Sequence, residues 1–485
     1  MVVSLKNKTI SSLFWKLFER GGRAIVELAV QIVMARLLAP DQFGALAIML
    51  VFINVGNVIV QSGLNTALVQ NVEIDSDDCS TVFWLSFGIS LVLYVVVFVA
   101  APAVAVFYSL FSIVWPLRFL SLILIINAFN AVQIAILQRD FEFKKIFKAT
   151  ICSVVSSGCI GIGCAVAGAG LWALVVQQLI YQIVNCVVLF LQIRWYPHFV
   201  FRLQRAKKLF SFGWKLLVSG LLDQGYQSLS DLIIGKQFSA TSLGYVSQGE
   251  RYPRALGSML DGAIQPVMLS AVSHVQTDLV YVKRLVRRAL KTSTYLIVPC
   301  MALFAVVAEP LVRILLGEQW LPAVPFLQMY CCIYMLLPIH TSNLQALNGV
   351  GRSDLFLKLE IIKKAYGAAL ILIGAFVFQD IYALVACYIA ASVISTFINA
   401  FPNKKVIGYS YKEQIHDCCP AFLLTAVSVL AAVPIGLLTL PDIATIGLQV
   451  LVMVGVYILL SIFLNVEEFT YLLGTAKELL ISKKN

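Results

Sequence analysis

Apolar residues in this chain run on for about twenty positions at a time, from one end to the other. Windows of about 19 residues delimit fourteen such runs, near residues 12–35, 43–68, 81–106, 113–136, 149–169, 171–193, 211–235, 245–270, 291–311, 322–346, 355–378, 380–400, 418–440 and 443–464. Each is bounded by charge clusters, Pro or Gly. At a helical rise of about 1.5 Å per residue, a run of this length crosses a hydrocarbon layer about 30 Å thick. The pattern predicts an all-α polytopic membrane protein with about fourteen transmembrane helices.

An internal repeat divides these spans. Laying residues 10–70 over 209–270 matches Trp15-Lys16-Leu17 with Trp214-Lys215-Leu216 and, after a one-residue insertion, Arg36 with Lys236, Gly44 with Gly244 and Gln61 with Asp261. Six spans separate the copies. The expected organisation is two six-helix lobes, 1–208 (spans one to six) and 209–415 (spans seven to twelve), then an extra C-terminal helix pair over 416–466 and a tail over 467–485. Two halves flanking a shared site is a common plan among secondary transporters.

Composition agrees with lipid as the solvent. Of the 485 residues, 60% are hydrophobic and only 13% are charged, against roughly 25% charged in soluble domains. Mean hydropathy is +0.89. A soluble enzyme is excluded, and the absence of a glycine-rich phosphate loop argues against direct ATP hydrolysis. The net charge of +11 would suggest nucleic acid in a soluble chain. Here the basic residues sit between apolar spans, so they orient the protein and no nucleic-acid partner is expected. Eleven cysteines fall mostly inside apolar segments without zinc spacing, and read as structural. No metal site and no cofactor is expected. The first apolar stretch is interrupted by Lys16, Glu19, Arg20 and Arg23; it lacks the clean core of a signal peptide and is expected to be retained as a helix.

The charges also set a direction. The connections after spans four, six and eight carry Arg139, Lys144, Lys145 and Lys148; Arg194, Arg202, Arg205, Lys207 and Lys208; and Lys283, Arg284, Arg287, Arg288 and Lys291. The opposite connections carry only Arg36, Lys236 and Arg313. The positive-inside rule then places both termini in the cytoplasm. The acidic loop from Gln70 to Ser80, with Glu73, Asp75, Asp77 and Asp78 and no Lys or Arg, departs from that pattern, but acidic residues count little in the rule.

The residues that lipid should reject carry the functional information. At about 100° per residue, Lys16, Arg20, Arg23 and Glu27 share one arc of the first span, with Glu19 beside it. Five ionisable groups facing lipid would cost ~12–18 kcal/mol on insertion scales, so they face water or protein. The second span aligns Asn54, Asn57, Gln61 and Asn65; the seventh aligns Lys215, Ser219, Asp223, Tyr226 and Ser230; the eighth aligns Glu250, Arg254, Ser258, Asp261 and Gln265, with Arg251 at its margin. These are the spans that the repeat pairs, and the expectation is one polar cavity bounded by four helices. Arg20, Arg23 and Arg254 offer forked donors suited to diphosphate oxygens. Asn54, Asn57, Gln61, Tyr226 and Gln265 offer the neutral donors and acceptors that sugar hydroxyls need, or serve as packing residues. Asp223, Asp261 and Glu27 are candidates for coupling to a proton or sodium gradient. The balance of acids and bases on these spans also suits an exporter of cations, and a network locking the helices together is the structural alternative. The pair over 418–464 holds no Lys or Arg and faces lipid or forms a groove for a lipid tail.

Several loops resemble those of a known family. Residues 35–47 (ARLLAPDQFGALA), 63–70 (GLNTALVQ), 137–143 (LQRDFEF), 316–325 (LGEQWLPAVP) and 347–355 (LNGVGRSDL) follow, in order, the pattern of the bacterial polysaccharide flippases, the Wzx-type polysaccharide transporters. The resemblance covers residues 10 to about 400. It implies the fold shared with the multidrug and toxic-compound extrusion proteins and the lipid II flippase. It also implies movement of undecaprenyl-diphosphate-linked oligosaccharide across the bacterial inner membrane for surface polysaccharide, alongside a polymerase and glycosyltransferases. In such relatives a cationic central cavity receives the headgroup, and Arg20 and Arg23 are where this sequence offers it. An ion-coupled multidrug antiporter of the same fold and a non-transporting scaffold of a polysaccharide synthesis complex are the competing readings.

Overall fold

The structure, a computed structural model, describes residues 22, 26–61, 68, 75–140, 142–193 and 195–482. No β-strand occurs among them. Eleven helical stretches among the described residues are long and apolar enough to cross a membrane, which makes the chain a multi-pass membrane protein. Two further helices, Leu203–Gln237 and Ala240–His274, have 35 residues each. Their length of roughly 50 Å suffices to cross, but they are too polar to count as apolar spans. With the helix over 26–37, these are consistent with the fourteen expected. The chain divides into two compact units, 1–247 and 248–485.

In the first unit the helices are α1 (26–37), α2 (Pro40–Gln61), α3 (Ser76–Tyr108), α4 (Val114–Leu120), α5 (Leu122–Arg139), α6 (Phe143–Val166), α7 (Leu171–Ile193) and α8 (Leu203–Gln237), with the start of α9 (Ala240–His274). α2 is central. It buries Phe43, Leu46, Ile48, Met49, Val51, Ile53 and Val60 and packs on α3, α5, α7 and α8. The acids at the start of α3 have a local role. The Asp78 amide donates to Asp75 Oδ1 (2.9 Å) and the Asp75 amide to Asp78 Oδ2 (3.3 Å), a capping box that satisfies free amides at the positive end of the helix dipole. Asp77 pairs with Arg202 at 2.6 Å. These acids are placed by capping and pairing, so they carry no orientation signal.

The second unit holds the rest of α9, then α10 (Leu279–Val306), α11 (Ala308–Leu315), α12 (Val324–Met335), α13 (Leu337–Gly349), α14 (Ser353–Ile373), α15 (Ile381–Ala400), α16 (Asn403–Val406), α17 (Tyr411–Ala432), α18 (Asp442–Phe463) and α19 (Glu467–Ser482). One segment differs from the sequence expectation. The basic connection after span eight is largely the first three turns of α10, because Val282, Val286 and Leu290 fall on one face and are fully buried, a period that makes the segment an amphipathic helix. Its charges are anchored by α17: Lys283 Nζ donates to Glu413 Oε1 (2.7 Å), and Arg287 Nη2 donates to Asp417 Oδ1 (2.6 Å), whose other oxygen accepts from the Tyr409 hydroxyl (2.7 Å). Ser410 and Glu413 form the capping box that starts α17. Asp442 pairs with Arg313 at 3.0 Å.

Candidate functional site

Of the residues singled out from the sequence, Lys16, Glu19, Arg20, Arg23 and Asn65 lie outside the described residues, as does the side chain of Lys215. The others fall in the two units and are taken in turn.

In the first unit the polar face of α2 is only partly exposed: Asn54 is open, Asn57 and Gln61 half-buried. Asn57 is held from α5, where Asn127 Nδ2 donates to Asn57 Oδ1 at 2.8 Å. Asn127 begins a buried polar row at helical spacing, Asn127, Asn130 and Gln133. Asn130 is 2% exposed, and among the described residues neither its Oδ1 nor its Nδ2 has a hydrogen-bond partner, nor has Gln133 Oε1. A buried amide without a partner costs about 1–3 kcal/mol, so the row marks a place where the bundle carries polar capacity beyond what packing requires. The sequence reading missed it, although the i, i+3, i+6 spacing of three amides in an apolar span was a visible signal. On α8, Asp223 is exposed and accepts from Gln227 Nε2 (3.0 Å), one turn on, while Gln224 Nε2 donates to Ser228 (2.9 Å). Tyr226 and Asp231 are half-buried. Glu27 on α1 is half-buried and has further interactions.

In the second unit α9 presents Glu250, Arg254, Ser258, Asp261 and Gln265. Arg254 Nη1 lies 3.5 Å from Glu250 Oε1, the i, i+4 neighbour, and the Tyr334 hydroxyl from α12 donates to the same oxygen at 3.3 Å. Glu250 thus stands between a cation and a phenol, while Arg254 reaches outward and is exposed. Asp261 is half-buried within reach of the Thr341 hydroxyl on α13, and its Oδ1 has no hydrogen-bond partner among the described residues. Gln265 is exposed. Tyr334 and Thr341 were not legible as partners, since 84 and 80 residues separate them from Glu250 and Asp261. Among the described residues no group of three His, Cys, Asp or Glu side chains could hold a metal ion.

Long helices that carry carboxylates, guanidinium groups and amides, set among apolar spans, define a multi-pass membrane protein with polar helix faces, whose groups lipid-facing positions do not tolerate. Solved structures share the fold. The lipid II flippase MurJ, in its inward closed conformation, superposes with a TM-score of 0.76, covering 94% of this chain and 98% of that one at 14% identity. A multidrug resistance transporter of the MATE family in its inward-facing conformation reaches 0.59 over 79% of this chain and 95% of that one, at 16% identity. In sequence, residues 33–325 match the family described as polysaccharide biosynthesis protein, and the chain belongs to that family. Its relatives include the succinoglycan biosynthesis transport protein ExoT of Rhizobium meliloti (23% identical, 87% of this chain and 83% of that protein) and the lipopolysaccharide biosynthesis protein WzxC of Escherichia coli (23%, 90% and 89%). The teichuronic acid biosynthesis protein TuaB of Bacillus subtilis is 25% identical over 79% of each chain.

Proposed function

We propose that this protein moves undecaprenyl-diphosphate-linked oligosaccharide units across the bacterial inner membrane by alternating access, with both termini in the cytoplasm. The observation that carries the reading is the pair of polar 35-residue helices, α8 and α9, within a fold that matches a lipid flippase over nearly its whole length. Apolar helices would suffice for a scaffold. Asp223, Asp231, Glu250, Arg254 and Asp261 on helices long enough to cross a membrane call for a hydrated surface, which suits a transported polar headgroup.

In this reading Arg20, Arg23 and Arg254 take the diphosphate, and the amides of α2 and α5 together with Tyr226 and Gln265 take sugar hydroxyls. Asp223, Asp261 and Glu27 couple movement to a proton or sodium gradient. Asp261 is the best placed of the three for proton exchange, with one oxygen unbonded and the other side of the carboxyl near a hydroxyl. Cytoplasmic glycosyltransferases would supply the substrate and an external polymerase would consume it. Reconstitution in vesicles with a defined lipid-linked oligosaccharide tests the proposal: arrival of the sugar on the far leaflet is expected, reduced by Arg20→Ala with Arg23→Ala and by Arg254→Ala. Equal rates in empty and protein-containing vesicles, or export of a cationic dye in place of the oligosaccharide, would overturn it in favour of a scaffold or a cation antiporter.

A further inference from the structure

At the start of α10 a cavity of about 320 Å³ is walled by Arg284, Arg287, Arg288 and Lys291, and closed by the first turns of α19 through Glu467, Glu468 and Tyr471. Its charges are not balanced. Lys291 Nζ takes both carboxylates of the tail helix, Glu467 Oε2 at 2.8 Å and Glu468 Oε1 at 2.7 Å. Arg287 is taken by Asp417. Arg288 lies over the Tyr471 ring at 3.6 Å and Arg284 over the Tyr281 ring at 5.4 Å, and among the described residues neither is in an ion pair. Ring faces hold a guanidinium plane by cation–π attraction and leave its N–H edges free to donate.

The cavity also lies at the ends of apolar helix segments. All five cations of α10 precede residue 292, and no charged residue follows from there to Val306. On the other wall, the apolar α18 ends at Phe463 and the tail helix begins at Glu467. The ends of two apolar spans therefore meet at the cavity, at the level of lipid headgroups. The tail is tied to the bundle, where Phe469 and Leu472 pack against Tyr295, Ala421, Leu424 and Tyr457, and α10 is tied to α18 by the Tyr295 hydroxyl, which donates to Ser461 (2.6 Å). Arg284 and Arg288 line this space outside any ion pair among the described residues.

We propose that this cavity binds the phosphodiester of an anionic phospholipid, with Arg284 and Arg288 as its two donors and the tail helix as the wall that shapes the site. A single phosphodiester supplies one negative charge and oxygens suited to forked donors, and basic pockets at the ends of membrane helices favour such headgroups. The site is independent of the transport reading, because none of its residues belongs to the polar faces of α2, α8 or α9.

The test uses the full chain, purified in a neutral detergent and titrated with dioleoylphosphatidylglycerol, dioleoylphosphatidylcholine or inorganic phosphate, with bound lipid counted by native mass spectrometry. Phosphatidylglycerol is expected to bind in preference to phosphatidylcholine. Arg284→Gln with Arg288→Gln should weaken it about 30-fold, at roughly a factor of five per surface cation, while Lys404→Gln with Lys405→Gln, exposed basic residues elsewhere, should leave it unchanged. Both arginines are exposed and outside ion pairs, so an unaltered melting temperature in phosphatidylcholine checks that the variant folds. Equal binding of the two lipids, or an equal loss in the Lys404 and Lys405 variant, overturns the site. Displacement of phosphatidylglycerol by inorganic phosphate at equal concentration overturns the lipid assignment and makes the cavity a free-phosphate site.

Discussion

Gly44 and Gly244, matched by the internal repeat, meet in the structure, and substituting either has a consequence that geometry fixes. A methyl carbon added at Gly44 would lie 1.7 Å from the Ala240 carbonyl oxygen and 2.5 Å from its carbon; one added at Gly244 would lie 2.0 Å from the Pro40 carbonyl oxygen. The obstructing atoms are backbone in both directions, so no side-chain rotation relieves them. Ordinary carbon–oxygen contacts are about 3.3 Å, hence the starts of α2 and α9 must separate by roughly 1.5 Å. Overpacking of this kind costs about 1–3 kcal/mol, or more where the backbone must move. Gly44→Ala is expected to lower the thermal midpoint of the purified protein and to reduce polysaccharide export in a strain depending on it. Gly244→Ala should do the same. The double variant should lose clearly less than the two singles combined, since one separation accommodates both methyls. Wild-type melting in Gly44→Ala, or strict additivity in the pair, would refute the close approach.

Four other outcomes follow from particular contacts. Asp417→Asn should destabilise by about 1.5–3 kcal/mol, the range for hydrogen bonds to a charged group, because the 2%-exposed Asp417 side chain serves both Arg287 and Tyr409; Glu309→Gln, facing Arg313 on the exposed surface, should cost less than about 1 kcal/mol, and melting curves compare the two. Asn127→Ala removes the donor to Asn57 and should cost about 1 kcal/mol while lowering transport of the oligosaccharide in vesicles. Asp75→Ala breaks the capping box of α3 and should cost about 1 kcal/mol, read as faster hydrogen exchange in its first turn. The hydrogen bond from Lys291 holds the Glu467 carboxyl below its ordinary value of 4.5, so its contribution to anchoring the tail is complete above that value and is lost as pH falls through the lowered one. Protease cleavage within 467–482 should rise on acidification in the wild type, and the rise should be smaller in Glu467→Gln.

Much of the architecture was legible because lipid imposes a length on every crossing segment. The apolar runs predicted helices where α2, α3, α6, α7, α15 and α18 stand, and the quoted loops carried the family resemblance that residues 33–325 confirm. The basic connection at 283–291 was harder: it reads as a loop from its charges, and only the burial of Val282, Val286 and Leu290 against the bundle makes it a helix. The polar faces of α2 and α9 were visible as stripes, but their partners were not. Asn127, Tyr334 and Thr341 come from distant spans, and sequence spacing along one helix says nothing of which other helix lies beside it.

By itself the sequence determined that the chain is a multi-pass helical membrane protein and which helices hold charge, since both follow from the cost of placing a given residue in hydrocarbon. Tertiary structure alone decided which side chains meet. In a membrane the faces turned to lipid and to protein are both apolar, so periodicity does not distinguish them, and helix partners are chosen by close contact and polar pairing. Gly44 and Gly244 were recognisable as equivalent positions, yet that they touch, and that Asp417 joins Arg287 to Tyr409, depends on how the folded helices fit together.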